Sequence, residues 1–208
     1  MTDGTDKDTK RIGEYLACSR PLLQSAVKKQ GQESKHASKA RPLGEILFED
    51  GFVSRDELDA AIQHQRRDRL HRCPVFATLS DMELSAISTR FIEVSVTPDQ
   101  EFIVQDQPDP RLYVIATGKV EVYRTTPDGK HIHFAYVGPP EPIGEMGYFQ
   151  GGIRTASVRA VEATEMLRAE YNVLSHYFEH VPRVAHEFMR IVDRRRRATE
   201  KVMATPPA

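Results

Sequence analysis

"LYVIATGKVEVYRTTPDGKHIHFAYV", Leu112 to Val137, is the stretch whose reading decides the fold. Its valines, isoleucines, tyrosines and threonines favour a pleated backbone. Thr126-Pro127-Asp128-Gly129-Lys130 then parts two such runs with the turn chemistry of a β-hairpin. The texture repeats on both sides in "FIEVSV" from Phe91, "EFIVQ" from Glu101, "TASVRAV" from Thr155 and "TEMLRAE" from Thr164. Turn residues punctuate it at Pro98-Asp99, Pro108-Asp109 and Gly138-Pro139-Pro140. Short strands at this spacing predict an antiparallel barrel or roll. Helical patterns flank it: "FATLSDMELSAISTRF" with Ser80 as its cap, then "NVLSHYFEH" and "PRVAHEFMRIVDRRRR", where Pro182 suits a helix start. The expected class is α+β, an antiparallel, jelly-roll-like β-roll with N- and C-terminal helices.

A small helical module precedes the roll. "RIGEYL…LLQSAVKKQ", Arg11 to Gln30, and "RPLGEILFEDGFVSRDELDAAIQHQ", Arg41 to Gln65, form a degenerate repeat. In the second copy Leu58, Ala61, Ile62 and Gln65 fall at helical spacing, and Ser54 with Glu57 spells a capping box. Each copy reads as a short helix, a turn and a second helix, with a polar loop over 31–40 between them. The expected layout is a disordered tail over 1–10, the module over 11–66, the roll domain over 67–200 and a tail over 201–208.

Composition narrows the classes. Of 208 residues, 39% are hydrophobic and 28% charged, enough to bury a core and too apolar for global disorder. A net charge of -1 makes no electrostatic case for bulk nucleic-acid or membrane binding. No run approaches the roughly 18 apolar residues of a spanning helix, so no membrane insertion is expected, and no secretory signal is read in "MTDGTDKDTKR". Cys18 and Cys73 lack metal spacing and read as reduced thiols of a cytoplasmic protein.

The chemistry concentrates in "PIGEMGYFQGGIRTASV", Pro142 to Val158. Gly144-Glu145 is followed, ten positions after the glycine, by a lone Arg154 among small residues. In isolation this could be a hairpin carrying a surface salt bridge, or a loop built around a small anion, for which arginine supplies a planar fork of donors.

These residues resemble the cyclic nucleotide-binding domain, the family shared by the catabolite activator protein, the regulatory subunits of cyclic-nucleotide-dependent kinases and gated ion channels. The match covers about 73–197. Gly144, Glu145, Arg154, Ala156, Ser157 and Val158 fall in register, and "LYVIATGKVEV" is similar to the family's strand and turn with Gly118 in place. The resemblance implies a cyclic mononucleotide ligand, cAMP or cGMP, and no catalytic cofactor. It assigns Arg154 to the phosphate, Glu145 to the ribose hydroxyl, and Met146, Gly147 and Ala156 beside Gly144 to backbone contacts. A short helix starting near Glu145 is expected to aim its free N–H groups at the phosphate. Thr155 tilts slightly toward cGMP, with cAMP kept open. Phe188, Met189 and Val192 on the last helix are candidate lid residues. Asp99 and Asp106 stand where the family often has glycine, and aspartate tolerates a left-handed turn. Pro140 and Ile153 also depart from the family pattern.

"LGEILFEDGFVSRDELDAAIQHQ" resembles, more weakly, the N-terminal domain of the assembly ATPases of type II secretion and type IV pili. Some of those bind cyclic di-GMP, and the candidate positions here are Arg11, Gln30, Arg41, Gly44 and Gln65. A helical docking module is the plainer reading. Pro42 occupies the expected arginine slot, and the first copy is about four residues short.

Other signals favour ordinary roles. "HYFEH", His176 to His180, spells a zinc-protease motif but sits on an apolar helix stripe. His131 and His133 share a strand face and read as a solvated hairpin. Arg194 to Arg197 reads as a solvated helix C-terminus. No helix-turn-helix follows the last helix, so DNA is not expected as a partner. The expectation is therefore a non-enzymatic, bacterial, cytoplasmic cyclic-nucleotide sensor. It would signal to a partner protein, with secretion or type IV pilus motility as candidate settings, and a homodimer through the last helix stays open. A scaffold with an empty roll, or a cyclic di-GMP adaptor, is the alternative.

Overall fold

The structure is a computed structural model that describes residues 11–33 and 41–204. It divides into two compact units between Asp68 and Arg69.

The first unit is the repeat. A 3-10 turn at Ile12–Glu14 precedes α1 (Arg20–Glu33), and α2 (Leu43–Glu49) precedes α3 (Arg55–Arg72), whose last turn, from Arg69, belongs to the second unit. Leu16, Ala26, Ile46, Leu47, Val53, Leu58 and Ala61 form its core. The two copies use glycine alike: a Cβ on Gly13 would lie 2.8 Å from Leu23, and one on Gly44 would lie 2.5 Å from Leu58. Each glycine lets a first segment close onto its second helix. Leu23 follows Gly13 by four residues fewer than Leu58 follows Gly44, so the expected first helix of copy one contracts to a single 3-10 turn. Ser54 caps α3 as predicted: its Oγ accepts from Glu57 N at 3.2 Å, and Glu57 accepts from Ser54 N at 2.8 Å. α1 continues to Glu33, into the segment expected to be loop. Residues 34–40 and the tail expected over 1–10 lie outside the described residues.

The second unit is the roll. α4 (Asp81–Ser88) starts at the Ser80–Glu83 capping box. Eight strands follow, β1 (Ile92–Val96), β2 (Glu101–Ile103), β3 (Arg111–Thr117), β4 (Val120–Thr125), β5 (His131–Val137), β6 (Pro142–Ile143), β7 (Ser157–Ala160) and β8 (Thr164–Glu170). They form two antiparallel sheets ordered β1-β8-β3-β6 and β2-β7-β4-β5. Asp99 and Asp106 adopt φ of 64° and 62°, the left-handed turns expected of them. β6, paired through Tyr113↔Ile143, has no counterpart in the sequence reading. α5 (Tyr171–His180) and α6 (Pro182–Ala204) close the unit. α6 extends through Lys201–Ala204, part of the expected tail, and 205–208 lie outside the described residues.

Burial along β3 explains the layering. Tyr113 and Ile115 face the second sheet with Val120, Val158 and Ala160, whereas Leu112 and Val114 face the helices with Phe76, Phe178 and Phe188. A strand covered on both faces reads as a continuous apolar run, and Leu112–Ala116 is buried throughout. No described helix is long and apolar enough to cross a membrane.

Candidate functional site

The site begins where β6 ends. Gly144 adopts φ 87°, and a Cβ there would be driven into the Arg154 guanidinium and within 3.0 Å of Arg111 O. Only glycine meets both demands. A 3-10 helix over Glu145–Gln150 follows, where the short helix was expected. The chain returns along the loop before β3, held by Arg154 N to Gln107 O at 3.0 Å, Asp106 N to Arg154 O at 2.8 Å and Asp109 N to Gly152 O at 2.8 Å.

Arg154 is 2% exposed, so the surface salt-bridge alternative is excluded. Its Nη1 donates to Gly144 O and Tyr171 Oη, both at 3.0 Å. Its Nη2 donates to Arg111 O at 2.7 Å and lies 2.9 Å from Asp109 Oδ2. Nε is buried without a partner. Asp109 is itself held by Arg111 Nε, and Tyr113 Oη lies 3.4 Å away. Tyr171 also donates its hydroxyl hydrogen to Gly144 O. Burial pushes the Tyr171 phenol up to about 12.

Glu145 is buried, with Oε2 2.7 Å from Arg195 Nη1 on α6. Arg195 also donates to Pro142 O at 2.6 Å and Glu141 Oε2 at 3.0 Å. Met146, Thr155 and Ala156 are half-buried, and a Cβ on the buried Gly147 would stand 2.9 Å from Tyr171 Oη. Gly144 and Arg154 are thus brought into contact, with Glu145 adjoining. Of the candidate lid residues, Phe188 is core, stacked on Phe178 at 4.0 Å; Val192 packs at the edge of that core and Met189 is half exposed. In the first unit Gln30 donates to Arg41 O at 2.6 Å and Arg41 pairs with Glu49. Arg11 N donates to Glu14 at 2.9 Å, Gln65 is buried, and Gly44 lies under Leu58.

Three readings need correction or refinement. Arg194 to Arg197 is not a helix end, because α6 continues to Ala204, and Arg195 is turned inward. His131 and His133 are not simply solvated: they lie 3.1 and 2.9 Å from the buried Glu121 Oε1, which sequence reading passed over. Asp109, Tyr171 and Arg195 were missed as site residues. Asp109 looked like turn chemistry after Pro108, and its partner lies 45 positions along the chain. His176 and His180 stand with ring centroids 5.5 Å apart, but no group suited to a metal occurs among the described residues.

Residues 93–180 match the cyclic nucleotide-binding domain family. The chain is 36% identical to a solved N-terminal domain of a transcriptional regulator from Streptomyces coelicolor, with a TM-score of 0.51 and coverage of 66% of this chain and 96% of that one. It belongs to the cyclic nucleotide-binding domain family. Among curated relatives, the cyclic AMP receptor protein of Thermus thermophilus is 32% identical over 61% of this chain and 59% of its own. The CRP-like cAMP-activated global transcriptional regulator of Mycobacterium tuberculosis is 25% identical over 65% and 60%. The chain therefore spans about 60% of the length of the curated relatives it matches. The exclusion of DNA as a partner does not stand: it rested on the lack of a helix-turn-helix after α6, whereas the Mycobacterium tuberculosis relative and the Streptomyces coelicolor neighbour are named as transcriptional regulators.

Proposed function

We propose that the second unit is a non-enzymatic, cytoplasmic regulatory module that binds a cyclic mononucleotide, with cAMP preferred. The observation that carries this reading is the buried Arg154 guanidinium folded over Gly144, ten residues after it and beside Glu145. A cyclic phosphate would take the Arg154 donors and the ribose hydroxyl the Glu145 carboxylate. The naming of two relatives as cAMP-responsive favours cAMP over cGMP, against the slight tilt of Thr155. The signal would leave through α5, which Tyr171 ties to Arg154, and α6, which Arg195 ties to Glu145.

Titration calorimetry with cAMP, cGMP and cyclic di-GMP tests this. Binding of cAMP that is lost in Arg154→Lys, a variant that keeps the charge but not the fork, supports the reading. Silence toward both mononucleotides in the folded protein overturns it. For the first unit a helical docking module is favoured, because packing against Leu58 alone accounts for Gly44. The cyclic di-GMP arm of the titration is its check.

A further inference from the structure

We propose that Thr199 is a phosphorylation site for an arginine-directed Ser/Thr protein kinase, and that a phosphate there releases α6 from Glu145 by capturing Arg195. Whether the roll takes a cyclic nucleotide does not enter.

Four arginines, Arg194 to Arg197, stand directly before Ala198-Thr199. A kinase with an acidic substrate groove selects its acceptor by such a charge pattern. The acceptor must also be reachable. α6 buries Val184, Phe188 and Ile191, all in its first half. From Arg196 to Ala204 only Thr199 and Val202 are half-buried, and the other residues are exposed. These last turns rest on local helical bonds rather than on packing, so they open at little cost and can enter a kinase groove as extended chain.

Thr199 follows Arg195 by four residues and Arg196 by three, so both arginines are its neighbours on the helix surface. Arg195 now donates to Glu145 at 2.7 Å, Glu141 at 3.0 Å and Pro142 O at 2.6 Å. Arg196 donates to Asp193 at 2.8 Å and Glu200 at 2.9 Å. A phosphate on Thr199 adds nearly two negative charges and three strong acceptor oxygens beside them. It competes with Glu145 on unequal terms. The phosphate and Arg195 ride on one helix, so their pairing survives when α6 lifts, whereas the pairing with Glu145 does not. The phosphate also repels Glu141 and Glu145, and it sits near the C-terminal, negative end of the α6 dipole.

The chemistry is an ordinary phosphoryl transfer. Thr199 Oγ1 attacks the γ-phosphorus of ATP, an O–P bond forms as the β–γ bridging bond breaks, and ADP leaves. The hydroxyl proton passes to a carboxylate of the kinase.

The test treats the folded full chain with ATP, magnesium and the catalytic subunit of a cyclic-nucleotide-dependent kinase, an arginine-directed enzyme. Mass spectrometry should place phosphate on Thr199. The double variant Arg196→Ala, Arg197→Ala should be modified at least roughly tenfold more slowly, the scale of losing one charge pair at an interface. A folded chain that takes no phosphate at Thr199, or an undiminished rate in the double variant, overturns the site. Amide hydrogen exchange then compares phosphorylated and unmodified protein, each with and without Arg195→Ala. Phosphorylation should quicken exchange over 145–150 by roughly tenfold in wild type, the scale of one charge-assisted hydrogen bond, and add nothing there in Arg195→Ala. Unchanged exchange, equal gains in both backgrounds, or matching acceleration in β3 and β8 overturns release through Arg195.

Discussion

Glu145 and Arg195 form an ion pair of 2.7 Å between the start of the 3-10 helix and the middle of α6. Glu145 keeps 4% of its side chain exposed and Arg195 18%. Arg195 also reaches Glu141 and the Pro142 carbonyl, so one side chain holds α6 against the segment that enters the motif. Arg154, ten residues after Gly144, is held by Asp109 and Tyr171. The two charged groups expected to meet a ligand are therefore each tied to a helix or loop that could report their occupancy.

Arg195→Ala should loosen α6 without unfolding the roll. Removing one partner of a buried pair leaves the other charge stranded. Because Arg195 is partly solvated, the expected loss is on the order of 2 kcal/mol, below the figure for a fully buried pair. Amide hydrogen exchange should quicken over 194–204 and stay slow in β3 and β8. Equal acceleration in both would place the pair in global stability instead.

If Glu145 accepts the ribose hydroxyl, Glu145→Ala and 2′-deoxy cAMP remove the same interaction. Their effects on affinity should then fall short of additive in a double-mutant cycle, with a coupling on the order of 1 kcal/mol. Calorimetry on the four combinations measures it. Strict additivity would separate Glu145 from the ribose.

Gly144→Ala should damage both fold and site. The new Cβ would occupy a left-handed backbone and press on the Arg154 guanidinium. Strain of this kind costs roughly 1–3 kcal/mol, read as a lower urea midpoint with an unchanged slope. Arg154 must also shift, so cAMP binding should weaken by more than the stability loss explains.

How much of this was legible depended on range. Ser54 with Glu57 and Ser80 with Glu83 act within three residues, and both caps could be read directly. The turn aspartates Asp99 and Asp106 were legible for the same local reason. The Gly144-to-Arg154 spacing was legible because one loop carries both residues. Asp109, Tyr171 and Arg195 reach the site from other elements through tertiary folding, and no local pattern marks them. The arginine run misled because three of its four members do face outward, Arg194, Arg196 and Arg197, hiding the one that does not. β6 was missed because two residues, one of them proline, carry almost no strand signal.

The same limit of range applies to Glu121, whose partners come from two neighbouring strands. Burial alone would raise its carboxyl, but hydrogen bonds with His131, His133 and Arg159 outweigh that and hold it down at about 2. Arg159 Nε donates to Oε2 at 2.7 Å, while both histidines approach Oε1. A carboxylate depressed in the folded state contributes stability that is present above its ordinary value. That contribution is lost as the pH falls through the folded value. The loss from this group should therefore accumulate from about pH 4.5 toward pH 2. Glu121→Gln cannot titrate there. It should be less stable than wild type at pH 7, and the gap between the two melting temperatures should narrow steadily between pH 4.5 and 2. Thermal unfolding of both proteins across that range measures it, and a gap that stays constant would show that the cluster contributes packing rather than charge.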